Sequence, residues 1–181
     1  MTFASETVTL REALEQQQKV WRDVYERSGL GVNNPLWPYR MEAFVLRHAG
    51  LEKRGQATGM DGCPIQRMTA KECFSNAGRL AIHEGYEYRE GYAVRLDLGI
   101  PIHHAWVEWD GHVLDPTWND PENCLYLGVP FDTDFLEKWA LKKGYWGLLD
   151  SGWGINVDVM KDYERITGKE HWKEATHETA E

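Results

Sequence analysis

Cysteine is scarce in this chain. Cys63, Cys73 and Cys124 are the only three, irregularly spaced and odd in number, which excludes a disulfide framework and leaves at least one free thiol under any pairing. Positive charge is also short. Lys and Arg total 20 against 29 Asp and Glu, and the formal net charge of -9 repels polyanions, so nucleic acid is not an expected partner. No apolar run approaches the roughly 18 residues that span a bilayer, and the first residues, MTFASETVTLREAL, lack a basic stretch followed by an apolar one. The expectation is a cytoplasmic protein with no membrane partner. Phosphate-binding glycine loops, a G-x-S-x-G elbow, internal repeats and low-complexity tracts are absent as well.

What is present is aromatic and patterned. The 181 residues are 42% hydrophobic and include nine tryptophans, a globular composition with enough length for one core. Residues 1–168 are read as one catalytic domain with its core at about 60–131, and 169–181 as a polar tail. Thr9-Leu-Arg-Glu forms a capping box, and Leu10, Ala13, Leu14, Val20, Trp21, Val24 and Tyr25 fall on one helical face. NNPLWP breaks the chain, and a second helix is predicted from about Tyr39 to Gly50. Residues 51–68 read as an irregular loop. Thr69-Ala-Lys-Glu is a second capping box, predicted to open a helix that carries Cys73, Phe74, Ala77, Leu80 and Ala81 and stops near Gly85.

Beyond Gly85 the period changes from helical to two. Tyr92, Val94, Leu96 and Leu98 alternate with more polar neighbours, predicting a strand over 91–98. Asp110-Gly111, between residues 102–109 and 112–118, is a strong hairpin signal. Two further helices are predicted at Thr133 to Lys143, closed by Gly144, and Asn156 to about Thr167, closed by Gly168, with the aromatic loop YWGLLDSGWG between them. Helices followed by an antiparallel meander make an α+β fold.

The chemistry starts at Cys73, because a thiol near a helix N-terminus feels unpaired N–H groups and the positive end of the dipole. Lys71 adds a cation. Otherwise Cys73 is a small buried hydrophobe. A two-residue Asp110-Gly111 turn sets Trp109 against His112 and, counting back, Trp106 against Asp115. His104 and Asp115 then share a face as diagonal neighbours, while His103 points away. A three-residue loop would reverse this and select His103. Carboxylate, imidazole and thiol in that order make a nucleophilic triad, Cys73, His104 and Asp115.

Cys-Phe-Ser-Asn-Ala at 73–77, Glu90-Gly-Tyr, His104-Ala-Trp and Asp115-Pro-Thr-Trp resemble the core of the transglutaminase-like, papain-like cysteine enzymes, a group that includes arylamine N-acetyltransferases. The resemblance covers about residues 66–131. It implies a Cys-bearing helix on an antiparallel meander and acyl transfer through a thioester, and it leaves the substrate open. Gln66 is a candidate oxyanion donor by likeness to the Gln upstream of the nucleophile in papain-like enzymes. Asn76, Trp106 and Trp153 are candidates for the substrate cleft. Trp106, Trp109 and Trp118 also read as packing residues.

Cys63, Cys73, His103 and His104 lack a C-x-x-C or H-x-x-x-H unit, so neither metal nor cofactor is expected. The leading expectation is a thiol hydrolase acting on a peptide, protein or small amide. A transamidase, a small-molecule acyltransferase and a non-catalytic binding or regulatory protein on the same fold remain alternatives.

Overall fold

A computed structural model describes residues 9–28, 40–59, 65–150 and 154–169. Helix α1 (Leu10–Arg27) opens on the expected capping box: the Thr9 hydroxyl accepts from the Glu12 N–H, and the Glu12 carboxylate from the Thr9 N–H. Its first two turns bury Leu10 and Leu14. Helix α2 (Met41–His48) is buried all round its first turn, Met41 through Val45, and again at His48, and β1 is the short pair Lys53–Arg54. Among the described residues, no helix is long and apolar enough to cross a membrane.

Helix α3 (Cys73–Glu84) starts later than the Thr69 box predicts. Lys71 takes a left-handed φ of 67° and Glu72 caps the helix without a side-chain bond, so Cys73 is the first helical residue. Gly85, in the left-handed region, ends it.

The strands are β2 (Glu87–Arg95), β3 (Pro101–Trp109), β4 (His112–Leu114) and β5 (Cys124–Phe131), in an antiparallel sheet ordered β1-β5-β2-β3-β4. A bridge between Gly55 and Val113 joins the two outer edges, so the sheet nearly closes into a small barrel. Two of its strands depart from the sequence expectation. β2 runs 87–95 rather than 91–98, because Leu96–Leu98 fold into a turn whose Leu98 and Gly99 N–H groups return to the Arg95 carbonyl. β4 stops at Leu114 because the Asp115 carboxylate takes the N–H groups of Thr117 and Trp118 and turns the chain out of the sheet. Helices α4 (Thr133–Lys143) and α5 (Val157–Thr167) end at Gly144 and Gly168 as predicted.

Alternation sorts the strand residues between two environments. The outer face contributes Tyr88, Tyr92, Val94, Ala105, Val107, Leu127, Val129 and Phe131 to the main core, against α1, α2, α3, α4 and α5. The inner face holds a smaller cluster of Ala93, Trp106, Val113, Cys124 and Tyr126, with Trp118 packed on it. Gly91 and Gly128 pair across the ladder beside His104, and a Cβ at Gly128 would overlap the Trp106 ring. Glycine here makes room for an indole inside the barrel. Lys53, Arg89 and Glu108 form an ion cluster on the same inner face, toward the other end of β3.

Candidate active site

Asp110 and Gly111 take φ values of 47° and 78°, the two left-handed residues of a type I′ turn, and Trp109 pairs with His112. The register therefore runs as predicted, through Glu108 with Val113 and Val107 with Leu114. His104 falls on the inner face, and its Nε2 lies 2.8 Å from Asp115 Oδ2. A carboxylate can only accept, so Nε2 carries the proton and Nδ1 is left for another partner. The Cys73 thiol lies close enough to this ring to shift its protonation. The structure brings the three expected residues together.

Each member is held by its local chain. Cys73 occupies the first position of α3, and the first intrahelical bond, Asn76 N–H to the Glu72 carbonyl, comes three residues later. The N–H groups of Cys73, Phe74 and Ser75 thus have no intrahelical acceptors. Asp115 is fully buried, and its Oδ1 takes the Thr117 and Trp118 N–H groups at 2.8 and 3.2 Å. Its Oδ2 accepts the Tyr126 hydroxyl at 2.8 Å in addition to His104. Burial alone would raise the Asp115 pKa. The His104 charge and the converging donors outweigh it and hold the carboxyl below its ordinary value. For His104 burial favours the neutral ring, yet the Asp115 carboxylate and the Cys73 thiol prevail and raise its pKa to about 9. Near neutral pH this favours an imidazolium paired with the Asp115 carboxylate.

The ring is also walled in. Trp118 lies tilted over His104 with centroids 4.5 Å apart, and Trp106 stacks at 6.4 Å. Trp106 shares the His104 face, as the register predicts, but it is only 1% exposed. It fills the barrel interior rather than an open cleft, because closure of the sheet and the space above Gly128 draw it inward.

Asn76 is buried as well. Its amide donates to the Thr69 carbonyl and the Thr117 hydroxyl, tying the start of α3 to the turn after Asp115. That bracing takes up its donors, so it is not a cleft residue. Gln66 is exposed, next to Arg67 and Met68, which bond to the carbonyls of Asn119 and Pro116. The oxyanion role read for it from resemblance gains no contact here. Trp153 and Cys63 lie outside the described residues. Cys124 donates its thiol to the Asp120 carbonyl, and burial pushes its pKa up to about 11, so it is a poor nucleophile. Among the described residues, no three His, Cys, Asp or Glu side chains are grouped to hold a metal.

Sequence reasoning missed three residues around the nucleophile. Tyr126 adds a donor to Asp115, Phe74 packs on His103 at 4.9 Å, and Tyr145 stands near both Phe74 and the Cys73 thiol. Tyr126 was within reach of pattern reading, since Cys124, Tyr126 and Gly128 alternate with Leu125, Leu127 and Val129. Tyr145 carried only its place in the aromatic loop as a signal. Comparison with protein-family models, curated proteins and solved structures finds no match for this chain.

Proposed function

We propose that this protein is a cysteine-dependent acyl-transfer enzyme, a thiol hydrolase of peptide or amide bonds with Cys73, His104 and Asp115 as its triad. One observation carries the reading: a buried imidazole held at 2.8 Å by a fully buried carboxylate has, close by, a thiol on the first residue of a helix. In this mechanism Cys73 Sγ attacks the substrate carbonyl as thiolate. The first N–H groups of α3 receive the developing oxyanion, and His104 returns its proton to the leaving group. Asp115 fixes the ring and stabilises imidazolium, and water resolves the thioester. The transglutaminase-like resemblance fits the order of the three residues and the α+β arrangement. A reducing cytoplasm would keep Cys73 a free thiol.

The first test is alkylation by iodoacetamide near neutral pH, read by peptide mass spectrometry. Cys73 should react much faster than Cys63 and Cys124, and equal rates at all three would leave a binding protein as the better reading. A panel of acyl and peptide electrophiles then reports the acyl-enzyme. Cys73→Ala should lose the adduct and the turnover while folding normally. Added amines distinguish transamidation from hydrolysis by the amide product they form.

A further inference from the structure

The end of the β2–β3 hairpin is unusually apolar for a surface. Leu96, Leu98, Ile100 and Ile102 are 39, 59, 64 and 46% exposed within seven residues. Single exposed apolar side chains are ordinary, but a contiguous group marks a contact surface. The turn beneath them is well defined: Arg95 forks onto both Asp97 oxygens, the Leu96 N–H bonds to the Asn123 carbonyl, and Gly99 closes it in the left-handed region. Apolar side chains on so fixed a turn are presented outward.

Their position gives the surface an occupant. Ile102 precedes His104 by two residues on β3 and so shares its face. Its partner across the ladder, Ala93, belongs to the inner cluster on which Trp118 packs. Of the two same-face neighbours of His104 on β3, Trp106 is buried and Ile102 is open, so this face of the site is approached from the Ile102 side. The proton on His104 goes to the leaving group, which, with Trp118 over the ring, must meet the ring edge beside Cys73 and extend toward Ile102. Resting on the acyl-transfer reading, we infer that Ile102, Ile100 and Leu98 form the leaving-group subsite, and that the substrate carries a large aliphatic group on the amine it loses.

S-alkyl thioacetates test this cleanly, because lengthening the alkyl group barely changes leaving-group chemistry. Cys73 Sγ forms a new bond to the acetyl carbon, the bond to the alkyl sulfur breaks, and the alkanethiol leaves with the proton His104 took from Cys73. Water then releases acetate. A methylene half covered by this open surface gains about twofold in kcat/KM, so the S-hexyl ester should exceed the S-ethyl ester roughly tenfold. The double substitution Ile100→Ser with Ile102→Ser should flatten that ratio toward one, and Leu51→Ser, elsewhere on the surface, should leave it intact. A flat ratio in the unmodified protein, or an unaltered one in the double variant, overturns the inference while acetylation of Cys73 upholds the acyl-transfer reading.

Binding is read separately in Cys73→Ser protein, by isoleucine methyl NMR with N-hexylacetamide. Shifts at Ile100 and Ile102 are expected, and their absence overturns the subsite even if thioesters turn over. Shifts without acetylation of Cys73 by any ester would uphold the surface and sink the chemistry. Sedimentation that shows a dimer dissolved by the double substitution would assign the surface to a second copy and overturn the inference.

Discussion

Two histidines stand side by side on β3, each bonded to a buried carboxylate, and only one of them shares its face with Asp115 and has the Cys73 thiol close by. His104 points into the barrel to Asp115 at 2.8 Å, and His103 points outward to Glu90 at 2.9 Å. The carboxylates differ in what else they hold. Asp115 organises its own turn through two N–H groups and is completed by Tyr126. Glu90 accepts the N–H groups of Leu148 and Leu149 at 2.6 and 2.8 Å and the Tyr88 hydroxyl at 3.0 Å, anchoring a loop almost 60 residues away. An imidazole–carboxylate pair alone is thus no sign of catalysis. Its third partner is: a thiol for His104, and packing against Phe74 and Tyr92 for His103.

The comparison breaks most readily at Asp115. Asp115→Asn keeps the shape of the turn but can donate to Nε2, favouring the wrong tautomer. Turnover on any electrophile that labels Cys73 should fall roughly 10⁴-fold, by analogy with serine triads. His104→Ala should cost a similar factor. Steady-state rates checked against circular dichroism decide it, and an effect under tenfold for both would remove the triad.

Glu90→Ala is the matching cut on the outer side, and its expected effect is on folding. It leaves the Leu148 and Leu149 N–H groups and the His103 imidazole without this acceptor and the Tyr88 phenol with only the Trp146 carbonyl, each full buried loss costing about 1–3 kcal/mol. Chemical denaturation should show a loss of at least about 3 kcal/mol, with Glu90→Gln milder because one acceptor oxygen survives. A change below 1 kcal/mol would mean the loop is held by other contacts.

The inner pair should also declare itself in pH. His104 has its pKa raised from 6.5 to about 9, so its contribution to stability is complete below pH 6.5 and fades as pH rises through 9. Asp115 is shifted down from 3.8, so its contribution is present above that value and is lost as pH falls through the folded-state pKa. Imidazole NMR should place the His104 midpoint near 9. In Asp115→Asn burial is left to act against the charge, and the midpoint should drop below 6.5. A midpoint near 6.5 in the unmodified protein would contradict the ion-pair description.

How much of this was legible depends on range. The Asp110-Gly111 turn encodes the register, and the register encodes which histidine meets Asp115, so the His104–Asp115 pair could be read from thirteen contiguous residues. The Thr9 capping box was legible for the same local reason. The Thr69 box was not, because the left-handed Lys71 breaks the turn it needed. β5 escaped notice because both its faces are buried, which blurs alternation, and Gly128 and Pro130 read as breakers. Trp106 was placed on the right face, and of its two readings, packing and cleft, its burial fits packing; what no local pattern shows is the barrel closure that buries it, which depends on Gly55 meeting Val113. Glu90 was quoted only as part of a motif. Its partners at 148 and 149 are invisible to any local pattern.

The smallest effect belongs to His103, and it tests the comparison at its narrowest point. The two histidines are adjacent, so a change in one perturbs the same stretch of backbone as a change in the other, and only the face differs. His103 packs its ring on Phe74, the residue after the nucleophile, and donates to a carboxylate that keeps three other donors without it. His103→Ala therefore removes one hydrogen bond and one ring contact, about 1–2 kcal/mol of stability. It leaves His104 between Cys73 and Asp115 undisturbed, so turnover should change by less than about tenfold, through small shifts of Phe74 at the start of α3. The decisive reading is the ratio of the two alanine variants measured on one electrophile under one set of conditions. A ratio near 10³ or more in favour of His103→Ala assigns the base to the inner pair. A ratio inverted toward His104→Ala would mean that the outer pair serves Cys73 and that the type I′ turn points to the wrong histidine.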